Sequence, residues 1–146
     1  MSRRLAVDVG SARIGLAISE GTLALPLETL VADAQATTRI QEIVTSRDVE
    51  VVYVGLPLNL KGEFTASTTK AIEFAQMLEN VGLVVRMIDE RLTTKSAQNM
   101  LQKAGKKVKE SREYIDAQAA ALILDFALSS ERGNLAGMTL NDIADR

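Results

Sequence analysis

Three separated points of the chain carry the acidic side chains most able to do chemistry. Asp8 lies inside an apolar run, LAVDV, although aspartate is depleted from strands and an unpaired carboxylate is costly to bury. Asp89 and Glu90 end a second apolar run, LVVRMI, and Asp116 stands near the start of a helical pattern. Because like charges at close range raise their pKa values or recruit a cation, acids that converge from these places would indicate a divalent metal site.

The chain has no histidine and no cysteine. This composition excludes Ser-His-Asp and Cys-His mechanisms, thiolate zinc sites and disulfides. Any metal would be held by oxygen atoms alone, which favours a hard ion, Mg²⁺ or Mn²⁺. The net charge of −2 gives no general attraction to polyanions, so nucleic-acid binding would need a local basic patch.

The bulk composition is that of an ordinary globular protein. With 146 residues, 47% of them hydrophobic and 25% charged, the chain predicts one domain with a substantial core. It contains no apolar run long enough for a transmembrane helix, and the N-terminus does not resemble a signal peptide. We therefore expect a cytoplasmic protein without a membrane partner.

Nine elements are predicted to position the acids. Strands are expected at 4–9, 14–19, 22–31, 50–55 and 83–88, and helices at 35–47, 65–80, about 93–104 and 112–130. This order predicts an α/β fold with a five-stranded mixed sheet flanked by helices. Strands 1 to 3 would form an antiparallel meander, and strands 4 and 5 would add in parallel, giving the order 3-2-1-4-5 with strand 1 central.

This topology brings the acids toward one edge of the sheet. Asp116 shares a helical stripe with the small residues Ala119 and Ala120, which would let the last helix lie close to the sheet. Sites in such folds form beyond the carboxyl ends of the strands, near the switch between strands 1 and 4. In an extended chain Asp89 and Glu90 point to opposite faces, so only one of them would join Asp8 and Asp116.

Basic residues are concentrated just before the last helix. This run could contact phosphates beside the acids, or it could be solvated surface. Arg13 and Arg91 lie near the predicted site, and the loop GLPLNLKG could present Lys61 to a phosphate or simply connect a strand to a helix. The members of the run are Lys103, Lys106, Lys107, Lys109 and Arg112.

Five segments together resemble the YqgF family, whose members are also called RuvX or Holliday junction resolvases. In chain order they are VDVGSARIGLA, VGLPLNLKGE, FAQML, IDERLTTKSA and YIDAQAAALIL, and the resemblance runs from about Leu5 to Leu128. It implies a fold similar to ribonuclease H and to the RuvC resolvase. It also implies a metal-dependent nuclease that matures the end of the small-subunit (16S) ribosomal RNA precursor or acts on branched DNA.

The resemblance also assigns residues. The family's three acids fall on Asp8, Glu90 and Asp116 as catalytic residues and ligands of Mg²⁺ or Mn²⁺, which chooses Glu90 over Asp89. Asp125 is too far along the helix to serve as the additional acid of RuvC-like enzymes, so the number of ions stays open. The implied nuclease domain is 1–132, and we expect the tail 133–146 to be flexible.

Two other functions compete with a nuclease. An aspartate-glycine turn followed by a glycine-containing strand also resembles the phosphate loop of actin-like kinases, although those need two such domains. A non-catalytic nucleic-acid or ribosome-associated binding module would use the basic run and keep the acids for structure. The sequence does not decide whether the substrate is RNA or DNA, or whether the protein is a monomer or a homodimer.

Overall fold

A computed structural model of the chain describes residues 2–93, 112–132 and 138–144. Its sheet contains five strands, and four helices and a short 3₁₀ turn surround it. The strands are β1 (Arg3–Val9), β2 (Arg13–Glu20), β3 (Leu23–Val31), β4 (Val49–Leu56) and β5 (Val85–Asp89). The helices are α1 (Ala36–Ser46), α2 (Ala66–Asn80), α3 (Arg112–Arg132) and α4 (Leu140–Ala144), and the 3₁₀ turn is Glu90–Leu92.

The order of the strands is β3-β2-β1-β4-β5. β1, β2 and β3 pair antiparallel, whereas β4 is parallel to β1 and β5 is parallel to β4. The predicted fold class, strand order and antiparallel meander are therefore confirmed. β1 lies at the centre of the sheet, which places Asp8 far from both edges.

Side chains of β1 alternate between two apolar layers. Leu5 and Val7 lie in the larger core beneath α1 and α2, whereas Ala6 lies in the second core beneath α3. Because successive strand residues point to opposite faces, Asp8 shares the face of Ala6 and points toward α3. The site is therefore built on the α3 side, and the opposite side supplies most of the stabilising burial.

The two helices before β5 begin differently. α2 has a capping box, in which Thr65 accepts a hydrogen bond from the Thr68 backbone and the Thr68 hydroxyl accepts one from the Thr65 backbone. Asp33 accepts a hydrogen bond from the Gln35 backbone at 2.9 Å in the turn that precedes α1. α1 has no side-chain cap, so its position depends on its buried apolar face.

Part of the segment expected to be a flexible tail packs on the sheet. Met138 exchanges two backbone hydrogen bonds with Met87 of β5, at 2.7 and 2.9 Å. Ile143 of α4 is 5% exposed and belongs to the larger core. The weak periodicity of this segment concealed these contacts because one paired residue and one buried residue suffice to attach it. The domain boundary at residue 132 stays a prediction.

Some predictions lie partly or wholly outside the described residues. The helix expected at about 93–104 falls mostly within residues 94–111, outside these ranges. Within the described ranges, no helix is long and apolar enough to cross a membrane. The cytoplasmic location and the choice between monomer and homodimer stay predictions.

Candidate active site

Asp8 lies between two glycines on neighbouring strands. On β2 its partner is Gly15, and on the other side Val7 pairs with Val54, so Asp8 lies beside Gly55 of β4. Glycine in a strand often marks a close approach of another group. The space on both sides of the Asp8 carboxylate is therefore free of side chains from the sheet itself.

Gly55 gives Glu90 its path across the sheet. A Cβ atom on Gly55 would lie 3.1 Å from Cγ and Cδ of Glu90 and 2.7 Å from Cδ1 of Ile123. β4 separates β1 from β5, so the Glu90 side chain must pass over β4 to reach Asp8. It does so at the one position of β4 in that region where no side chain obstructs it, and it forms a hydrogen bond with Asp8.

The Asp8 and Glu90 carboxyl groups share a partly desolvated environment. Burial, followed by the negative charge of Asp8, raises the pKa of Glu90 to about 8. Burial also raises the pKa of Asp8, repulsion from Asp116 adds to the rise, and the hydrogen bond from Glu90 opposes it. Without a cation, the pair therefore retains a proton near neutral pH, in the manner of two carboxyl groups that cannot both ionise.

Asp89 has a different role from Glu90. The residue is 8% exposed, and its Oδ1 atom accepts a hydrogen bond from the Arg91 backbone at 2.9 Å. The Arg91 guanidinium donates from Nε to both carboxylate oxygens at 3.1 Å and from Nη2 to Oδ2 at 2.6 Å. Asp89 thus caps the 3₁₀ turn that aims Glu90 toward Asp8.

Asp116 reaches the same region from the first turns of α3. A Cβ atom on Gly15 would lie only 2.1 Å from the Asp116 carbonyl oxygen, so the helix backbone rests directly on β2. The Asp116 side chain is close enough to Asp8 for their charges to interact. Its Oδ2 atom, however, accepts a hydrogen bond from Nε of Arg13 at 2.7 Å.

The three predicted acids therefore converge on one region, but they do not share one coordination centre. Within residues 2–93, 112–132 and 138–144, no group of three histidine, cysteine or acidic side chains is arranged to hold a metal ion. Asp8 and Glu90 are in contact, and Asp116 lies nearby but is paired with Arg13. The assignment of all three as metal ligands stays a prediction.

The donor set nevertheless suits a divalent ion. Asp8 and Glu90 offer oxygen atoms only, which Mg²⁺ and Mn²⁺ prefer. Their contact is held by a proton, because burial and mutual repulsion disfavour two negative charges there. A dication in place of that proton would balance both charges, so the residues fit such an ion.

The predicted phosphate-binding residues have different surroundings. Lys61 is exposed in the loop between β4 and α2, where the Asn59 side chain accepts hydrogen bonds from the backbones of Lys61 and Glu63 at 2.9 Å. Arg91 lies against Gly62 of the same loop and next to Glu90. Of Arg112 only the backbone is described, and the lysine run at 103, 106, 107 and 109 lies outside the described residues. Nucleic-acid binding by these side chains stays a prediction.

Sequence reasoning missed the two glycines as parts of the site. Gly15 and Gly55 contribute no functional group, but each removes the side chain that would block an acid. The available signal was a glycine within an apolar strand next to the strand that carries Asp8. The support of Glu90 by Asp89 was also missed, because a short 3₁₀ turn leaves little trace in a strand pattern.

The fold and the site define an RNase H-like α/β protein with carboxylates at the carboxyl end of its central strand. Structural comparison agrees with this class. Thermus thermophilus RuvC in complex with a Holliday junction substrate has a TM-score of 0.63 at 17% identity, covering 94% of this chain and 99% of that one. A second Thermus thermophilus RuvC structure has a TM-score of 0.58 at 18% identity, with 92% and 98% coverage. At such identities the likeness shows the fold alone.

Sequence comparison gives the family. The model of the family described as RuvX: Holliday junction resolvase matches residues 2–130, and the chain belongs to this family. A protein of Leifsonia xyli subsp. xyli is 49% identical over 134 residues, covering 88% of this chain and 86% of that protein. One of Clavibacter sepedonicus is 46% identical over 135 residues, with 88% and 84% coverage. Both carry the provisional name pre-16S rRNA nuclease. Membership of this family makes the chain a hydrolase that acts on ester bonds of nucleic acid.

Proposed function

We propose that this chain is a divalent-metal-dependent nuclease that hydrolyses phosphodiester bonds in structured nucleic acid. Its first candidate substrate is the precursor end of small-subunit ribosomal RNA, and branched DNA is the second. The observation that carries the proposal is the contact between Asp8 of β1 and Glu90, which follows the non-adjacent strand β5 and reaches Asp8 across Gly55. An acid pair placed only for stability would not need a side-chain-free path across the central sheet.

Each residue of the site has a distinct task in this proposal. Asp8 and Glu90 would hold Mg²⁺ or Mn²⁺, with Asp116 as the third acid from α3. When bound, the ion would supply charge neutralisation and lower the pKa of a water molecule. In the hydrolysis the water oxygen would bond to phosphorus as one P–O bond of the phosphodiester breaks, the water would lose a proton, and the leaving oxygen would gain one.

Cationic side chains around the acids support a polyanionic substrate. Arg13 is paired with Asp116, Arg91 follows Glu90 in the chain and is paired with Asp89, and Lys61 is exposed in the loop between β4 and α2. Backbone phosphates bind such side chains without regard to base sequence. Specificity for a ribosomal RNA end or a branch point would therefore come from the shape of the substrate. Relatives with the provisional name pre-16S rRNA nuclease support the RNA substrate, and the family's description supports the branched DNA.

The decisive experiment compares Asp8→Asn with the parental protein. Purified proteins are incubated with a transcript that carries the extended small-subunit rRNA end and with a synthetic four-way DNA junction, each in Mg²⁺, Mn²⁺ or EDTA. We expect cleavage by the parental protein in metal only. Loss of a ligand worth several kcal/mol should slow Asp8→Asn by more than about a hundredfold.

The matched control is Asp48→Asn. Asp48 is exposed, precedes β4 at the other end of the sheet, and has a φ of 54°, which asparagine tolerates. This variant should cleave at the parental rate. Cleavage by Asp8→Asn at that rate would contradict the site. Binding of both probes in EDTA with no cleavage in either metal would instead identify a non-catalytic binding module.

A further inference from the structure

Arg13 forms an ion pair with the third acid, Asp116. Its Nε atom lies 2.7 Å from Oδ2 of Asp116, and the two side chains are 35% and 29% exposed. The backbone of Arg13 is fixed as well, because its carbonyl oxygen accepts a hydrogen bond from the Gly10 backbone at 2.9 Å and closes the turn between β1 and β2. Arg13 therefore begins β2 next to the carboxyl end of β1, the strand that carries Asp8.

This ion pair engages the one of the three converging acids that does not contact the other two. Asp116 lies near enough to Asp8 to repel it, and no three-acid metal group exists in the part of the chain that the structure describes. A guanidinium and a divalent cation compete for the same carboxylate lone pairs. While Nε of Arg13 occupies Oδ2 of Asp116, that oxygen is not available to an ion at Asp8 and Glu90.

A phosphate group can resolve the competition. Guanidinium binds phosphate oxygens through two parallel hydrogen bonds, and this planar match makes phosphate at least as good a partner as one carboxylate oxygen. Arg13 and Asp116 are both about one-third exposed, so a phosphate can reach the guanidinium without any unfolding. Transfer of Arg13 from Asp116 to a phosphate would leave the Asp116 carboxylate beside the Asp8 and Glu90 pair.

From these contacts we infer that Arg13 is a positioning residue that withholds Asp116 from the metal until a nucleic-acid phosphate takes over the guanidinium. This inference rests on the proposed function and deepens it. It makes metal and nucleic acid bind cooperatively, and linkage requires that each raises the affinity for the other by the same factor. The site is therefore completed mainly when substrate is present, which would limit unspecific hydrolysis.

The test measures Mn²⁺ affinity by electron paramagnetic resonance of the free ion, without any cleavage assay. In the absence of nucleic acid, Arg13→Gln should bind Mn²⁺ about tenfold more tightly than the parental protein, because Asp116 is released. Arg13→Lys, which keeps a charge but loses Nε, should lie between them. Arg39→Gln removes an exposed ion pair with Glu28 far from the site and should bind like the parental protein.

A second arm of the experiment adds a synthetic four-way DNA junction. The junction itself binds Mn²⁺, so the Mn²⁺ bound by a mixture of the junction and Asp8→Asn is measured separately and subtracted as background. The junction should tighten Mn²⁺ binding to the parental protein by about the same tenfold and should barely affect Arg13→Gln. If Arg13→Gln does not fold, Arg13→Lys carries the comparison with an expected shift of about threefold.

The outcomes separate the two proposals. Equal or weaker Mn²⁺ binding by the Arg13 variants, with binding still abolished by Asp8→Asn, would overturn the inference and leave the nuclease proposal standing. A purely structural role of the ion pair gives that result, since it would lower the melting temperature without raising metal affinity. No Mn²⁺ binding that depends on Asp8 in any variant would overturn both proposals.

Discussion

At the residue scale, the site depends on what balances the charge of two carboxyl groups. Asp8 lies on β1 and Glu90 directly follows β5, a strand that is not a neighbour of β1, and the two side chains form a hydrogen bond in a partly desolvated place. In the metal-free protein that balance is provided by a proton, since burial and the charge of Asp8 raise the pKa of Glu90 to about 8. The same carboxyl groups are thus a proton site without metal and, in our proposal, a metal site in its presence.

The shared proton predicts how the metal-free protein responds to pH. Because the folded-state pKa of Glu90 lies above its ordinary value of 4.5, the folded state holds more protons than the unfolded state between about pH 4.5 and 8. The free energy of unfolding should therefore fall as pH rises through this window, by up to about 1.4 kcal/mol per pH unit. Urea unfolding in EDTA at pH 5, 6, 7 and 8 measures the slope.

Two variants check the origin of that slope. Glu90→Gln should remove most of it, because the amide does not titrate, whereas the exposed Glu79→Gln on α2 should keep it. Parallel stability curves for the parental protein and Glu90→Gln would show that the proton is held elsewhere. Addition of Mn²⁺ should flatten the parental curve, since a dication replaces the proton.

At the element scale, two glycines decide which elements can meet around Asp8. Gly15 lets the backbone of α3 rest on β2 at Asp116, and Gly55 lets Glu90 pass over β4. The small residues on the buried face of α3, Ala120 and Ala127, continue the close contact along the sheet. The elements of the site are therefore positioned by missing side chains as much as by attractive contacts.

Gly15→Ala should separate α3 from the sheet. Its Cβ atom would lie 2.1 Å from the Asp116 carbonyl oxygen and 3.1 Å from the Ala117 nitrogen, and neither backbone atom can move without the helix. We expect a loss of about 3 kcal/mol or more in the free energy of unfolding, at the upper end of overpacking effects. Chemical denaturation monitored by circular dichroism gives the value.

Gly21→Ala is the control for this substitution. Gly21 has a φ of +60° in the turn between β2 and β3, and a Cβ atom there would have no neighbour within 4 Å. Only the backbone conformation opposes alanine at that position, which costs about 1 kcal/mol. Equal losses for the two variants would mean that α3 does not rest on β2 at Gly15.

Most of the elements were predictable from the sequence, and the details of the site were not. The order of the elements, with three successive strands before helices and strands alternate, predicted the strand order. A strand aspartate together with an acid on α3 predicted a convergent site. The choice between Asp89 and Glu90 could not come from the extended-chain pattern, because the chain leaves β5 at Asp89 and enters a 3₁₀ turn. The pairing of Arg13 with Asp116 joins residues 103 positions apart, a separation at which no local pattern operates.

At the scale of the whole molecule, the two edge strands of the sheet differ in whether a further segment pairs with them in the described part of the chain. β3 forms one edge and carries Pro26, which cannot donate a hydrogen bond to a further strand. β5 forms the other edge, and there Met138 pairs with Met87, two residues before Asp89. The segment after residue 137 therefore pairs with the strand after which Glu90 follows.

This attachment predicts that α4 contributes to global stability. Ile143 is 5% exposed within the larger core, and its truncation in Ile143→Ala should lower the free energy of unfolding by about 2 kcal/mol. The value is at the low end for buried isoleucine because a five-residue helix can shift to fill part of the cavity. The neighbouring Asn141 is exposed, so Asn141→Ala should change stability by less than about 0.5 kcal/mol.

Hydrogen exchange of the Met87 amide, which donates to Met138, should accelerate in Ile143→Ala alone, since loss of the α4 anchor opens the edge of β5. Unchanged stability and unchanged exchange in Ile143→Ala would show that β5 is held in register by β4 without help from the end of the chain.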